Sequence, residues 1–270
     1  MTDETDTQKS HGRLSIRASL KPRDLMEEKP RLKGAWEARI VTLFPEAFPG
    51  TLGLSLMGKA LEMGLWRLET HDLRQFGEGR HRNVDDTPAG GGAGMVLRAD
   101  VVDRALHAAM QDAPDDRARW PVVYLSPRGR PFDQATARRF AACDGLTLLC
   151  GRFEGVDQRV LDHWGIEEVS LGDFVMTGGE IAAQAMIDAA VRLRPGVLGN
   201  QASTEEESFS DGLLEHPQYT RPALWEGREI PAVLQSGNHG EIARWRRAEA
   251  ERITAERRPD LIEKLRKGQG

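Results

Sequence analysis

The residues best suited to ligand binding or catalysis lie in two glycine-containing segments, Gly151-Arg-Phe-Glu-Gly155 and Leu171-Gly-Asp-Phe-Val-Met-Thr-Gly-Gly-Glu180. Each follows a predicted strand, and open α/β folds bind ligands at the carboxyl edge of their strands. Backbone groups of the second segment could read the edge of an adenine ring, with Phe174 and Met176 covering it. Glu154 could hold a divalent metal or a cofactor amine. Taken alone, a structural turn and a solvated glutamate fit the same residues.

Other polar residues carry weaker signals. Arg192 lies near the end of a predicted helix, where a guanidinium could contact a phosphate or a carbonyl oxygen. A surface arginine that buries only its stem fits the same position. The acidic cluster 205–207 has the composition of a solvated linker, and the loop His81-Arg-Asn-Val-Asp-Asp86 could read nucleic-acid bases.

Two nucleotide-binding fingerprints are incomplete. Gly53-Leu-Ser-Leu-Met-Gly-Lys59 begins like a P-loop, but Ala60 stands where the magnesium-binding hydroxyl is needed. The run Gly90-Gly-Gly-Ala-Gly94 contains no G-x-G-x-x-G window and lacks the strand–turn–helix setting of a dinucleotide site. These departures disfavour a nucleotide hydrolase and a nicotinamide oxidoreductase.

The elements that must position these residues alternate between strand and helix. Apolar runs predict strands at 39–44, 66–71, 121–126, 146–150 and 167–171. Helical spacing predicts helices at 54–63, 100–110, 133–142, 156–163 and 180–193. In the last helix the apolar stripe comprises Ala182, Ala185, Met186, Ala189, Ala190 and Leu193. The alternation predicts an α/β fold whose mainly parallel sheet is covered on both faces.

The chain divides into four regions by composition. Residues 1–35 are polar and predict a mostly disordered extension. Residues 36–194 form the α/β domain, and residues 195–217 are a flexible linker rich in glycine, serine and glutamate. Residues 218–270 predict a small second domain with a basic helix from about Gly240.

The overall composition is that of an ordinary soluble chain. It has 270 residues, 39% of them hydrophobic, and a formal net charge of -5. An acidic total leaves a local basic surface possible. The two cysteines favour a reducing cytosol and supply no zinc site, and no apolar run reaches membrane-spanning length.

Eight ordered motifs together are far more specific than any one alone. They are Leu43-Phe-Pro-Glu46, His81-Arg-Asn-Val-Asp-Asp86, Gly90-Gly-Gly-Ala-Gly-Met95, Tyr124-Leu-Ser-Pro127, Leu149-Cys-Gly-Arg-Phe-Glu-Gly155, Leu171-Gly-Asp-Phe-Val-Met-Thr-Gly-Gly-Glu180, Arg194-Pro-Gly-Val-Leu-Gly199 and Leu234-Gln-Ser-Gly-Asn-His239. From about Ile40 to the C-terminal helix, the chain strongly resembles the TrmD family. These are bacterial tRNA (guanine-N1)-methyltransferases of the SPOUT superfamily.

The resemblance implies a fold and an activity that composition cannot give. It implies a SPOUT-type parallel sheet with a deep trefoil knot over roughly residues 124–193, and a helical tRNA-binding domain at 218–270. It implies transfer of a methyl group from S-adenosylmethionine to N1 of guanosine 37, just 3′ of the tRNA anticodon. The family works as an obligate homodimer whose active sites are built from both chains, so a cytoplasmic homodimer is expected.

The resemblance also assigns site residues. The cofactor site falls on Leu125, Pro127, Gly151, Phe153, Glu154, Ser170, Leu171, Gly172, Asp173, Phe174, Val175, Met176, Gly178 and Gly179. Glu154 matches a carboxylate linked to Mg²⁺ dependence. His81 and Asp85 belong to the loop that contacts the guanine pair, and Ser236 and Asn238 match a substrate-facing loop.

Arg192 matches the family's catalytic arginine. The family's general base is an aspartate in an Asp-Ser-Phe setting, and this chain has Glu207-Ser-Phe209 there. We therefore predict that Glu207 is the base, with Asp211 as the fallback candidate. Two alternatives stay open: a SPOUT methyltransferase acting on another RNA nucleotide, and a catalytically inactive homologue that only binds RNA.

Overall fold

The computed structural model describes residues 34–198, 207–209 and 211–268. The predicted extension 1–35 lies outside the described residues, apart from its last two positions. Within the predicted linker 195–217, residues 199–206 and 210 also lie outside them.

The described elements follow the predicted alternation closely. The strands are β1 Trp36–Thr42, β2 Trp66–Asp72, β3 Asp85–Asp86, β4 Val96–Leu97, β5 Val122–Pro131, β6 Gly145–Cys150, β7 Glu167–Ser170, β8 Leu224–Trp225 and β9 Arg228–Glu229. The helices are α1 Ser55–Glu62, α2 Ala99–Ala109, α3 Gln134–Ala142, α4 Gln158–Trp164, α5 Glu180–Val191, α6 His239–Arg257 and α7 Pro259–Gly268. Short 3₁₀ turns occur at Pro45–Ala47, Gly50–Gly53, Leu73–Phe76 and Ala232–Gln235.

The central sheet has the strand order β2-β1-β6-β5-β7, and every pairing in it is parallel. The prediction of a mainly parallel α/β sheet is therefore confirmed. Side chains of successive strand residues alternate between the two faces. Ile40 and Leu148 pack into one core cluster with Phe140 of α3 and Met186 of α5. Their neighbours Val41 and Leu149 pack into a second cluster with residues of α2 and α4.

Strand β5 is longer than predicted because it pairs with β7 in two separate stretches. Val123–Leu125 pair with β7 first, and Arg130 and Pro131 pair with it again after a shift in register. The residues between leave the ladder, as in a β-bulge, and Pro127 among them has no N–H to donate. This break makes the end of β5 irregular at the edge of the sheet where a cavity lies.

The buried face of α5 differs from the predicted stripe. The structure buries Ala182, Ala183, Met186, Ile187, Ala190 and Val191. Ala185 is exposed and Ala189 half-buried, so their assignment to the stripe was wrong. Met, Ile and Val side chains remove more apolar surface from water than alanine, and they set which face is buried. The helix also ends at Val191, which places Arg192 at its C-cap.

The C-terminal part contains the β8–β9 hairpin followed by two helices. Asn238 caps α6, its side chain accepting a hydrogen bond from the Glu241 amide. Two arginines of the predicted basic helix are paired with acidic side chains, Arg247 with Asp211 and Glu251, and Arg252 with Glu249 and Glu256. The sequence predicted one helix from about Gly240, whereas the structure ends α6 at Arg257 and begins α7 at Pro259. Within the described ranges, no helix combines the length and the apolar character needed to cross a bilayer.

Candidate active site

A cavity of about 360 Å³ lies where β5, β6 and β7 end. Its walls come from the bulge of β5, the loop after β6 and the loop between β7 and α5. Of the predicted cofactor residues it brings together Leu125, Pro127, Gly151, Phe153, Glu154, Ser170, Leu171, Gly172, Phe174, Val175, Met176, Gly178 and Gly179. The remaining one, Asp173, is exposed and is not among the lining residues. We call this space the sheet-edge cavity.

Close backbone approach explains two features of the walls. A Cβ atom on Gly151 would lie 2.6 Å from the ring of Tyr124, so a larger residue cannot be accommodated without movement. Phe153 has a φ of 60°, a left-handed conformation that is uncommon for an aromatic residue. The loop after β6 is therefore held in an unusual shape at the cavity wall.

The glycine-rich run 90–94 meets the same loop. The Glu154 amide donates to the Met95 carbonyl at 2.9 Å, and the Leu97 amide donates to the Gly155 carbonyl at 2.9 Å. A Cβ atom on Gly94 would lie 2.5 Å from the Glu154 side chain. The glycine run thus packs against the segment that carries Glu154.

Glu154 is exposed, and it is the acidic side chain among the cavity-lining residues. Within the described part of the chain, no group of three or more His, Cys, Asp or Glu side chains is arranged to hold a metal. Mg²⁺ prefers six oxygen ligands, although it often keeps several waters. One protein carboxylate therefore does not make a metal site by itself.

Arg192 and Glu207 form a bidentate ion pair, here called the Arg192–Glu207 pair. Nη1 of Arg192 lies 2.5 Å from Oε2, and Nη2 lies 2.6 Å from Oε1. The two side chains are 30% and 29% exposed. Hydrogen bonds from Arg192 lower the pKa of the Glu207 carboxyl, and the same bonds raise the pKa of Arg192. The fallback base, Asp211, pairs instead with Arg247 of α6.

The predicted catalytic and substrate residues do not line the sheet-edge cavity of the same chain. Arg192 borders a separate depression together with Leu54 and Leu56. Asp85 lies in β3, and His81 is exposed in the loop before it. Ser236 donates to the Val233 carbonyl at 2.8 Å, and Asn238 caps α6 as described.

Sequence reasoning missed Arg152 and the partners of Glu180. Arg152 lines the cavity and pairs with Glu180, whose carboxylate also accepts a hydrogen bond from Thr42. Both charged residues stood within recognised motifs, but neither motif indicated that they contact each other. The only available signal was a charged residue of each sign in two loops that were expected at one sheet edge.

Comparison with known proteins identifies the family. The model of the family described as tRNA (Guanine-1)-methyltransferase TrmD matches residues 37–264. The chain belongs to the TrmD family. A protein of Cereibacter sphaeroides named tRNA (guanine-N(1)-)-methyltransferase is 79% identical over 230 residues, which is 85% of this chain and 92% of that protein. Proteins of the same name from Ruegeria pomeroyi and Rhizobium johnstonii are 72% identical (87% of this chain, 96% of that protein) and 60% identical (85% and 92%).

Membership of the TrmD family confirms the resemblance drawn from the eight motifs, and with it the prediction of a methyltransferase. The family match begins at residue 37, so the polar extension falls outside it. It ends at residue 264, within α7, and therefore includes the C-terminal helices as well as the sheet.

Proposed function

We propose that this chain transfers the methyl group of S-adenosylmethionine to N1 of guanosine 37 in tRNA, giving 1-methylguanosine and S-adenosylhomocysteine. The observation that carries the proposal is the sheet-edge cavity, because three separate motifs of the TrmD family converge on it. A different SPOUT-type specificity and an RNA-binding homologue without activity are the outcomes that the experiment below must exclude.

The cavity residues fit the proposed donor. The volume of about 360 Å³ lies within the usual range for small-molecule sites. Leu125, Leu171 and Met176 give apolar surface for a purine, and the glycines bring backbone N–H and C=O groups close to its edge. S-adenosylmethionine supplies a methyl group that is already electrophilic because it is bonded to a sulfonium.

The chemical difficulty therefore lies with the acceptor. Guanine N1 carries a proton and is a poor nucleophile until that proton leaves. In the proposed mechanism Glu207 removes the N1 proton as the general base. Arg192 faces O6, where negative charge accumulates, and stabilises it as a fixed cation. The remaining contribution is alignment of N1 with the methyl carbon, which requires the base to leave its stack.

The Arg192–Glu207 pair supports these roles and adds a condition. The two side chains are already adjacent, with complementary charge and two hydrogen bonds. In this state each neutralises the other, and the lowered pKa of Glu207 makes it a weaker base. A guanine that enters between them must replace their mutual bonds with its own N1–H and O6.

A homodimer would complete the site. Leu54, Val175 and Ile181 are apolar side chains that are 65%, 84% and 67% exposed in the single chain. Leu54 borders the depression that contains Arg192, and Val175 borders the sheet-edge cavity. We propose that an interface covers these side chains and brings one chain's Arg192–Glu207 pair to its partner's cavity.

The remaining expectations belong to the same proposal. The chain is proposed to form a deep trefoil knot over roughly residues 124–193, to carry its linker at 195–217 and to act in the cytoplasm. Residues 218–270 are proposed to bind tRNA, with Ser236 and Asn238 facing it and with His81 and Asp85 contacting the guanine pair. Glu154 is proposed to mediate a dependence on Mg²⁺.

Two tRNA transcripts test the proposal. One carries guanosine at positions 36 and 37. The other is identical except that adenosine replaces the guanosine at position 37. Purified protein, labelled S-adenosylmethionine and Mg²⁺ should convert the first transcript alone, and digestion should yield 1-methylguanosine. A product at another nucleotide would support the different specificity, whereas tRNA binding without any transfer would support the inactive homologue.

A further inference from the structure

A cluster of four residues around a buried carboxylate links the loops that wall the sheet-edge cavity. It consists of Thr42, Phe44, Arg152 and Glu180, and we call it the Arg152 brace. The Glu180 side chain is only 5% exposed. Nη2 of Arg152 donates to its Oε2 at 2.8 Å, and the hydroxyl of Thr42 donates to its Oε1 at 2.8 Å. Both oxygens of this desolvated carboxylate therefore have a partner, as a buried charge requires.

The same guanidinium reaches the second loop. Nη1 of Arg152 lies 3.2 Å from the Thr177 carbonyl, and the guanidinium stacks on the Phe44 ring at 4.3 Å from its centroid. The Gly179 amide donates to the Gly151 carbonyl at 3.2 Å. One side chain thus joins the loop after β6 to the loop before α5, with β1 behind both.

Close packing around the brace fixes its geometry. A Cβ atom on Gly178 would collide with the Arg152 guanidinium. The Phe44 amide donates to the Thr42 hydroxyl at 3.0 Å, which orients that hydroxyl toward Glu180. Arginine suits this position because its planar fork bonds two acceptors at once, and lysine cannot reproduce that arrangement.

We propose that Glu180 is a positioning residue for the methyl donor: through Arg152 it holds the two loops at the spacing that S-adenosylmethionine requires. The inference rests on the proposed function of the sheet-edge cavity. Its consequence is specific, because the brace touches donor-binding loops and not the Arg192–Glu207 pair. Loss of the brace weakens donor binding and leaves tRNA binding and the methyl-transfer step itself intact.

The substitution Glu180→Gln keeps the shape of the side chain and removes its charge. Titration calorimetry with S-adenosylhomocysteine should show a Kd raised by about 10- to 100-fold, by analogy with the effect of removing a residue that orients a metal ligand. The KM for S-adenosylmethionine should rise in parallel. The kcat measured at saturating donor should change little, and so should the affinity for tRNA. Arg152→Lys should show the same pattern. The matched control is Glu167→Gln, which removes a surface pair with Arg139 at 2.6 Å and should leave donor affinity unchanged.

The experiment distinguishes failure of the cavity's proposed function from failure of the positioning role. A wild-type chain that does not bind S-adenosylhomocysteine would overturn the proposed function of the cavity. A wild-type chain that binds it, with a folded Glu180→Gln variant binding equally well, would overturn the positioning role. If Glu180→Gln does not fold, Thr42→Val removes one hydroxyl of the brace at almost constant volume. Unchanged donor affinity in that folded variant overturns the proposal as well.

Discussion

Replacing Glu207 by Gln should separate activity from stability. Loss of a general base typically slows a reaction by roughly 10²–10⁴-fold. The same change removes the Arg192–Glu207 pair, but both side chains are about 30% exposed, and such a pair contributes only about 0–1 kcal/mol to folding. The variant should therefore lose most of its turnover while its melting temperature changes by a few degrees at most.

The assay is single-turnover transfer of labelled methyl to a tRNA transcript at saturating donor and tRNA. These conditions report the chemical step and not binding. Thermal unfolding followed by circular dichroism gives the stability of the same preparations. Glu207→Asp, which restores the residue of the family pattern, should keep most of the activity because a carboxylate remains.

Asp211→Asn is the matched control, because Asp211 is a second carboxylate near the linker and pairs with Arg247. It should retain near-wild-type transfer. The reasoning would be refuted if Glu207→Gln kept near-wild-type transfer while Asp211→Asn lost it. In that case Asp211 would be the base, and the Arg192–Glu207 pair would be structural.

Three further predictions concern acid stability, the cavity wall and the proposed dimer surface. Because pairing with Arg192 lowers the pKa of Glu207, the stabilisation from the pair is fully present above the unfolded pKa of about 4.3 and is lost as the pH falls through the lower folded pKa, so the acid unfolding curves of wild type and Glu207→Gln should differ at neutral pH and converge only below that folded pKa. Gly151→Ala places a Cβ atom 2.6 Å from Tyr124, so calorimetry should show weaker binding of S-adenosylhomocysteine; unchanged affinity would contradict the tight cavity wall. Ile181→Asp puts a charge on a proposed dimer surface, so sedimentation should show monomers that bind donor but transfer no methyl group, and an active dimer would exclude that surface.

Much of the fold could be predicted because its signals are local. The run at 146–150 is apolar except for Thr147, and the structure buries every residue of β6 from Gly145 to Cys150. Parallel strands covered on both faces give this kind of continuous run. The predicted stripe of α5 was less accurate, because alanines at 185 and 189 fit the spacing but bury little surface.

The Arg152 brace illustrates what a sequence leaves out. Arg152 and Glu180 are 28 residues apart, and Thr42 and Glu180 are 138 apart. No periodicity relates such positions, and each residue read alone resembles a surface charge or a strand threonine. Their contact follows only from the strand order, which brings the ends of β1 and β6 together.

That strand order also has a consequence for how the protein folds during its synthesis. β1 is synthesised first, yet one of its two neighbours is β6, which emerges only after α1, β2, α2, β5 and α3. Pairings between segments so distant along the chain form slowly, because the entropy of closing a long loop must be overcome before any contact is gained. The middle of the sheet therefore cannot close until the ribosome has delivered more than half of the chain. Until then the edge of β1 carries unpaired backbone N–H and C=O groups, which can pair with the strands of other chains.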